Sequence, residues 1–560
     1  MLRLRAQAEI ERRRRQRERD ANPPSLLEWA QAHRRIDDHP FSLDRFKPLE
    51  AIYADDHPNK VVIKPAQKGV SEWAITLACW ALDVGAGFWK TEKAGLNVGY
   101  LFPTQGALYD FGKERFSGLR IETDYLASLF TDYDDVGFKQ ARQSYLYLRG
   151  AWSTKALKSF PADLLILDEF DDMDPAAVAL ARKRLNASPL KRQAAISTPT
   201  LPGRGIHAAY VASDQCVWEV HCPACDVWSE LDFFRDVRVR PETSDGRPAD
   251  LEGWDAWRYW DGERLRKANL VIACPSCKAL LDRLGPGRWT AKHPEVTGTR
   301  GYQIPALSFP MVSLLELALA AIKDDPSETA EFYRSDLGLP FEASGSRITD
   351  LMLAQLSHEL ENGRLPEIEW HDTTMGVDVG SRHHYRISSL GPDGIRYVRR
   401  MGAVREWQTL SLLLEEYRVR RCVIDALPEL HACEAWASKH KGIVIRAYYP
   451  NSANLKGQLF QPEPEKIEEI ININRTMAMD AVYANVAGAK ERWPASIHGD
   501  PEVIAHMKAP VRIVSIDDRG QERASWEHTA PDHLFHASVY DHVAASSFPP
   551  PKRSITSIQL

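Results

Sequence analysis

VVIKPAQKGVSE, Val61 to Glu72, is the stretch on which the reading of this chain turns. Its apolar, β-branched start predicts a strand, a loop holding Lys64, Lys68 and Gly69 follows, and a helix is expected over Ser71 to Leu82. Strand, loop and helix in that order make a phosphate cradle. Successive backbone N–H groups and the helix N-terminus attract an anion, and a hydroxyl there can hold Mg²⁺. Against G-x-x-x-x-G-K-[ST], Gly69 and Ser71 take the sixth and eighth positions, but Val70 stands at the lysine position and Lys64 at the first glycine. An ordinary βα turn would show the same punctuation, so the loop by itself leaves both readings open.

A second stretch, ADLLILDEFDDMD from Ala162 to Asp174, bears on that choice. Leu164 to Leu167 is a continuous apolar run, as a parallel strand covered on both faces requires, and it ends in Asp168 and Glu169, where open α/β sheets bind ligands. Hydrolysis of a nucleoside triphosphate needs one carboxylate on Mg²⁺ and another to orient and deprotonate water, and Asp168 and Glu169 suit those roles in that order. Further strands are expected at Leu96–Phe102, Ser144–Leu148 and Gln193–Ser197. The last ends in STPT, Ser197 to Thr200, hydroxyl residues that either sense a γ-phosphate or simply turn at Pro199. This order of elements describes a RecA-like, mostly parallel α/β ATPase domain. Upstream, Phe41, Phe46 and Tyr53 offer rings to an adenine or, as is commoner, to the core.

At 560 residues the chain exceeds one core, and length alone suggests three or four domains. Its net charge of −6 excludes a globally basic nucleic-acid binder, so any such surface is local. There is no run of about eighteen apolar residues and no apolar segment behind the arginine-rich start, ERRRRQRERD at Glu11–Asp20, so a cytoplasmic chain is expected. Cys222-Pro-Ala-Cys225 and Cys274-Pro-Ser-Cys277 each supply two corners of a Zn²⁺ tetrahedron, and together they complete a closed structural site. Thioredoxin-like redox chemistry fits poorly, because two knuckles occur and neither opens a helix in a βαβ unit. Trp254, Trp257 and Trp260 between them read as a small satellite core, and Cys79, Cys216, Cys422 and Cys433 as ordinary buried thiols.

The last third opens with TTMGVDVG, Thr373–Gly380, a strand carrying Asp378. Strands near Tyr385–Leu390 and Ile395–Ala403, a helix at Thr409–Tyr417 and a strand Arg421–Asp425 follow. Far downstream, Asp532 starts a helix that also carries His536 and Asp541. Carboxylates from a first strand, a fourth strand and a late helix are how an RNase H-like nuclease builds a two-metal site for Mg²⁺ or Mn²⁺. Asp378, Asp425 and Asp532 are the candidates, with His536 able to assist and Asp541 as the alternative third ligand. Each alone also reads as a surface or capping residue, Asp532 above all.

Taken together, Lys64-PAQ-Lys68-Gly69-Val70-Ser71, LLILDE with its trailing DDMD, and STPT resemble the lambda-like large terminase subunits, the ATPase and nuclease of tailed-phage DNA packaging. The resemblance implies a deviant Walker A loop whose lysine lies early, which favours Lys64 for the phosphate and leaves Lys68 second. Gln67, Lys68, Gly69 and Val70 would line the ATP, Ser71 and Asp168 would hold its Mg²⁺, and Glu169 would be catalytic. An arginine from a neighbouring subunit is expected, with Arg115, Arg182 and Arg204 as candidates. The implied organisation is a basic arm and helix over 1–39 and a motor domain over 40–345 that includes a zinc-binding insertion at 216–290. A linker at 346–370, an RNase H-like nuclease at 371–548 and a tail at 549–560 follow. Implied partners are double-stranded DNA, a small terminase subunit and the portal protein of a procapsid, met as a homo-oligomeric ring in the host cytoplasm and away from membranes. The late nuclease motif departs from the family, since His536 stands near an expected acid, and Asn451–Ile470 reads as a flap. Two other readings are a helicase-like repair ATPase with a fused nuclease and a non-catalytic zinc-knuckle DNA-binding scaffold. The first would need the arginine motifs of a second RecA-like lobe, which are not seen here; the second predicts no ATP turnover.

Overall fold

Short apolar runs separated by helices return the chain to the same end of a sheet each time, and neighbouring strands are then parallel. In the computed structural model such runs form β1 (Asn59–Ile63), β2 (Asn97–Phe102), β3 (Ser144–Gly150), β4 (Leu164–Asp168) and β5 (Arg192–Ser197). β6 (Cys216–Cys222), β7 (Gly287–Ala291) and β8 (Arg300–Gln303) complete the set used below. The structure describes residues 22–130, 134–152, 154–240, 251–343, 345–358, 360–450, 455, 457–463, 466, 469–516 and 522–547. Residues 1–21 of the basic arm, the tail 549–560 and much of the expected flap therefore lie outside the described residues. Across the sheet the order is β8-β1-β5-β4-β2-β3, with every neighbour parallel. β4 is buried along its whole length, as its unbroken apolar run requires. The helix after β1 runs from Val70 to Trp80 and continues as a π-helical turn over Ala81–Gly85. Its buried Trp73, Ala74 and Ala78 join the main core.

The chain divides into two compact units between Phe341 and Glu342. Length had suggested more, but the cysteine-bearing region shares its core with the end of the first unit: Cys222, Trp257 and Cys274 pack in one cluster with Leu307, Ala318 and Phe332. The segment 346–370, expected as a linker, carries the helix Asp350–His358. Ile348, Leu353 and Leu356 lie in the core of the second unit beside Val482 and Trp493.

In the second unit β9 (His371–Asp378), β10 (His383–Leu390) and β11 (Arg396–Val404) form an antiparallel meander. β12 (Arg421–Asp425) then pairs parallel to β9, and β13 (Val444–Tyr448) parallel to β12. The closing helix, His533–Ser546, lies across β9. At Gly376 a Cβ would stand 2.1 Å from Ala537 O and from Asp541 N, so only glycine lets the helix backbone come this close.

Asp541, on that helix, accepts from Thr374 Oγ1 at 2.6 Å, Ser388 Oγ at 2.6 Å and Arg386 Nε at 3.0 Å. Arg386 turns another nitrogen to Glu491 at 2.6 Å. Both Asp541 oxygens are consumed in a fully buried network that ties helix to sheet, which removes Asp541 as an alternative metal ligand. Asp541→Ala leaves Arg386 buried with half of its compensation gone, and it should destabilise the second unit by about 3–5 kcal/mol, read as a lowered urea midpoint for that unit.

Candidate functional sites

β1 ends at Ile63, and the Lys64 side chain that follows is buried beneath the loop rather than projected into solvent. Its Nζ donates to Ser71 Oγ at 3.0 Å and to Glu169 Oε1 at 2.8 Å, and stands 3.8 Å from Asp168 Oδ1. The loop tightens through left-handed backbone at Gln67, φ 55°, and Gly69, φ 77°. A Cβ on Gly69 would also stand 3.1 Å from Leu49 Cδ1, so both backbone sign and space call for glycine. Val70, at the usual lysine position, is buried among core residues. Lys68 folds its Nζ onto Ala66 O at 3.0 Å, and burial draws its pKa down. Of the two lysines, it is Lys64 that converges with Ser71, Asp168 and Glu169.

Asp168 and Glu169 end in different surroundings. Tyr100, from β2, donates its hydroxyl to Asp168 Oδ2 at 2.7 Å. Burial lifts the Asp168 carboxyl above the ordinary carboxylate range, against the pull of the Lys64 ammonium and the Tyr100 hydroxyl. Glu169, at φ 55°, has a side chain 43% exposed and reaches water. Of the rings upstream, Phe41 and Tyr53 are core residues packed on one another, whereas Phe46 lies beside Gly69. Arg115 is paired with Glu72 at 3.0 Å, Arg182 donates to Gln193 Oε1 at 2.9 Å, and Arg204 precedes the helix Gly205–Val211.

A buried carboxylate that the sequence does not single out links the acidic strand to STPT. Asp171 Oδ2 accepts from Thr200 N and Thr200 Oγ1, both at 2.7 Å, and Oδ1 accepts from Ile206 N. Its own N–H donates to Ser197 Oγ at 3.1 Å. Thr200 O in turn accepts from Arg334 Nε at 3.0 Å and Phe341 N at 3.1 Å. The same Phe332–Phe341 segment reaches the phosphate loop, where Ala66 N donates to Ser335 O at 2.7 Å. Nothing in the local pattern of DDMD marks Asp171, since its partners come from other elements.

The four knuckle cysteines meet. Cys222 Sγ and Cys277 Sγ are 3.8 Å apart, as are Cys225 Sγ and Cys274 Sγ, and all four sulfurs lie within 4.8 Å of one another. A zinc–sulfur length of about 2.3 Å implies a tetrahedral sulfur–sulfur edge of about 3.8 Å, so the donor set fits. The same turn is built twice: Asp226 (φ 61°) donates to Cys222 O at 2.9 Å, and Lys278 (φ 64°) to Cys274 O at 3.0 Å. Trp257 is buried in the same core cluster as Cys222 and Cys274, with Trp254 edge-on to it at 4.6 Å and Trp260 packed against the cluster. Cys79, Cys216, Cys422 and Cys433 are buried thiols.

In the second unit Val377 pairs with Ile424, so Asp378 and Asp425 emerge side by side at the C-terminal ends of β9 and β12. Burial lifts the Asp425 carboxyl and the charge of Asp378 adds to this, despite the Leu427 N–H that it accepts at 3.1 Å. Asp532 stands at the N-terminus of the closing helix but its side chain makes no cap. Instead its buried Oδ2 is 3.4 Å from His536 Nε2. Burial raises the Asp532 carboxyl, but His536, His528 and Arg475 outweigh it and hold it low. Among the described residues, two groups of three or more His, Cys, Asp or Glu bring ligand atoms within 4.8 Å of one another: the four cysteines, and Asp378 with His384 and His533. The two histidines were not legible as site residues, because His384 meets Asp378 only through the antiparallel register of β9 and β10.

Residues 37–285 match the sequence model of the phage terminase large subunit gpA ATPase domain, a span that includes the phosphate loop, Asp168, Glu169, STPT and all four knuckle cysteines. No curated protein matches the chain. Among solved structures, the HK97 bacteriophage large terminase is 10% identical and covers 93% of this chain and 99% of its own, with a TM-score of 0.47. A large terminase from a thermophilic bacteriophage is 11% identical over 91% of this chain and 99% of its own, with a TM-score of 0.30. The large terminase nuclease from thermophilic phage G20c covers 35% of this chain and 97% of its own at 12% identity and a TM-score of 0.24.

Gly69→Ala forces a side chain into the left-handed region against Leu49. It should destabilise the first unit by about 1–2 kcal/mol, measured as a shift of that unit's transition in urea.

Proposed function

We propose that this chain, whose residues 37–285 match the phage terminase large subunit ATPase-domain model, is a large terminase subunit, a DNA-packaging motor that also cuts the DNA it packages. ATP hydrolysis would move double-stranded DNA into a procapsid, and a metal-dependent endonuclease would sever the concatemer. The observation that carries the motor reading is the convergence of Lys64, Ser71, Asp168 and Glu169 at one edge of a parallel sheet. The strand order β8-β1-β5-β4-β2, with the STPT strand between the loop strand and the acidic strand, supports a RecA-like domain. The meander β9-β10-β11 followed by parallel β12 and β13 supports an RNase H-like nuclease.

Bound MgATP supplies the transferable phosphoryl group and the metal that neutralises its oxygens. The Lys64 ammonium would face those oxygens, and the Ser71 hydroxyl and the buried Asp168 carboxylate would hold the metal. Backbone N–H groups of the Gln67–Val70 loop cradle the phosphates. Glu169 orients the attacking water and takes its proton. Asp171 holds Thr200, and Thr200 O holds Arg334 and Phe341, so a displacement at STPT is passed to Phe332–Phe341 at the end of the first unit. Contact with DNA through its phosphates moves the duplex without base readout.

In the second unit Asp378, Asp425 and Asp532 are the residues to hold Mg²⁺ or Mn²⁺, which supply an activated water and stabilise the leaving oxygen. Asp532 forgoes its helix cap, which supports a ligand role for its carboxylate. The four cysteines fit a structural Zn²⁺. Partners in this reading are the small terminase subunit, the portal and further copies in a ring, in the host cytoplasm. Among the described residues no helix is long and apolar enough to cross a membrane.

Lys64→Ala should cut ATP turnover by about a hundredfold or more, measured as phosphate release, while Lys68→Ala costs far less. The opposite ranking would move the phosphate role to Lys68. Asp378→Ala should abolish plasmid nicking in Mg²⁺ and Mn²⁺ with ATP turnover retained; nicking that persists in a clean preparation would remove the nuclease assignment. Elemental analysis should find about one zinc per chain, lost in Cys222→Ser/Cys225→Ser.

A further inference from the structure

Asp378 has two neighbours that a carboxylate-only metal site does not require. His384 stands opposite it in the pairing of β9 with β10, and His533 opens the closing helix with Nδ1 2.8 Å from Asp378 Oδ2. Each of the three brings a ligand atom within 4.8 Å of the other two. The imidazoles are stacked, with ring centres 4.6 Å apart and planes 13° from parallel, so each restrains the other.

His384 is 5% exposed, and its buried Nδ1 has no hydrogen-bond partner. A ring nitrogen left so is costly unless a ligand takes it up. Its Nε2 stands 3.8 Å from Glu502 Oε1, and Glu502 is gripped by Arg382 at 2.9 Å. The Glu502 carboxylate thus lies on the Nε2 side of the ring, within the range of the acidic groups that orient metal-bound histidines. His533 is 47% exposed and leaves one side of the group open to an ion and its waters.

We propose that Asp378, His384 and His533 form a cation position that takes a first-row transition dication such as Mn²⁺ in preference to Mg²⁺. The proposal rests on the nuclease reading of Asp378 and extends its ligand set. Imidazole nitrogen suits transition ions, whereas Mg²⁺ keeps to oxygen ligands and gives up its waters reluctantly. The ion would enter between His533 Nδ1 and Asp378 Oδ2, taking the place of the hydrogen bond that joins them.

Electron paramagnetic resonance of Mn²⁺ titrated into the full-length protein, with the knuckle zinc in place and Mg²⁺ as competitor, tests this. His533→Ala and His384→Gln should each weaken Mn²⁺ binding by at least about tenfold, the loss seen even for residues that only orient a ligand, and lower the preference for Mn²⁺ over Mg²⁺. Circular dichroism checks the buried His384→Gln for folding, and the half-exposed His533→Ala gives an arm that does not depend on core packing. Mn²⁺ binding unchanged in both folded variants but lost in Asp378→Asn would overturn the histidine site and leave the nuclease reading standing. Wild-type protein that binds no Mn²⁺ and shows no metal-dependent cleavage would overturn both.

Discussion

Parallel strands finish at the same edge of a sheet, and both candidate centres of this chain are built on that constraint. In the first unit the main-chain ladder pairs Ile63 with Ser197 and Asp168 with Ile196. Lys64, Asp168 and the STPT turn are therefore delivered together whatever their side chains prefer. Lys64 N donates to Ser197 O at 3.0 Å, so the ladder continues one step into the loop and fixes where the lysine leaves the sheet. In the second unit the pairing of Val377 with Ile424 does the same for Asp378 and Asp425. The side chains carry the chemistry, but backbone hydrogen bonding sets their separation.

That constraint is also why much of the architecture could be read from the sequence. Continuous apolar runs such as Leu164–Leu167 announce strands buried on both faces, and the residue after each run falls at the ligand edge. The displaced lysine was favoured only by the resemblance to the large terminases, since the strand end and loop by themselves left Lys64 and Lys68 both open. Asp171 and Arg334 were not legible, since their meaning lies in bonds to Thr200 and not in any local spacing. The helix Asp350–His358 was hidden by the mixed polarity of its surroundings and by Pro366, although Leu353 and Leu356 already had helical spacing. Asp541 is a different kind of miss. At about 3.6 residues per turn, the step from Asp532 to His536 keeps nearly one face, while the step to Asp541 ends about half a turn away. The wheel therefore placed Asp541 toward the sheet, where it meets Arg386 and Thr374, the latter four residues short of Asp378.

The chain has to fold before it meets nucleotide or DNA, and a buried carboxylate without a counter-charge is expensive. Three of the enclosed acids at the two edges have a basic neighbour each, Lys64 for Asp168, His533 for Asp378 and His536 for Asp532, while Asp425 accepts the Leu427 N–H. These partners differ in what they allow. A lysine side chain offers donors and no acceptor, so Lys64 can only exchange one anionic partner for another, a carboxylate for a phosphate. A histidine can release its proton and then offer the same nitrogen to a metal. The first edge is thus suited to an anionic ligand that competes for a fixed positive charge, and the second to a cationic one that replaces a removable positive charge. The choice of lysine at one edge and histidine at the other matches the sign of the ligand proposed for each.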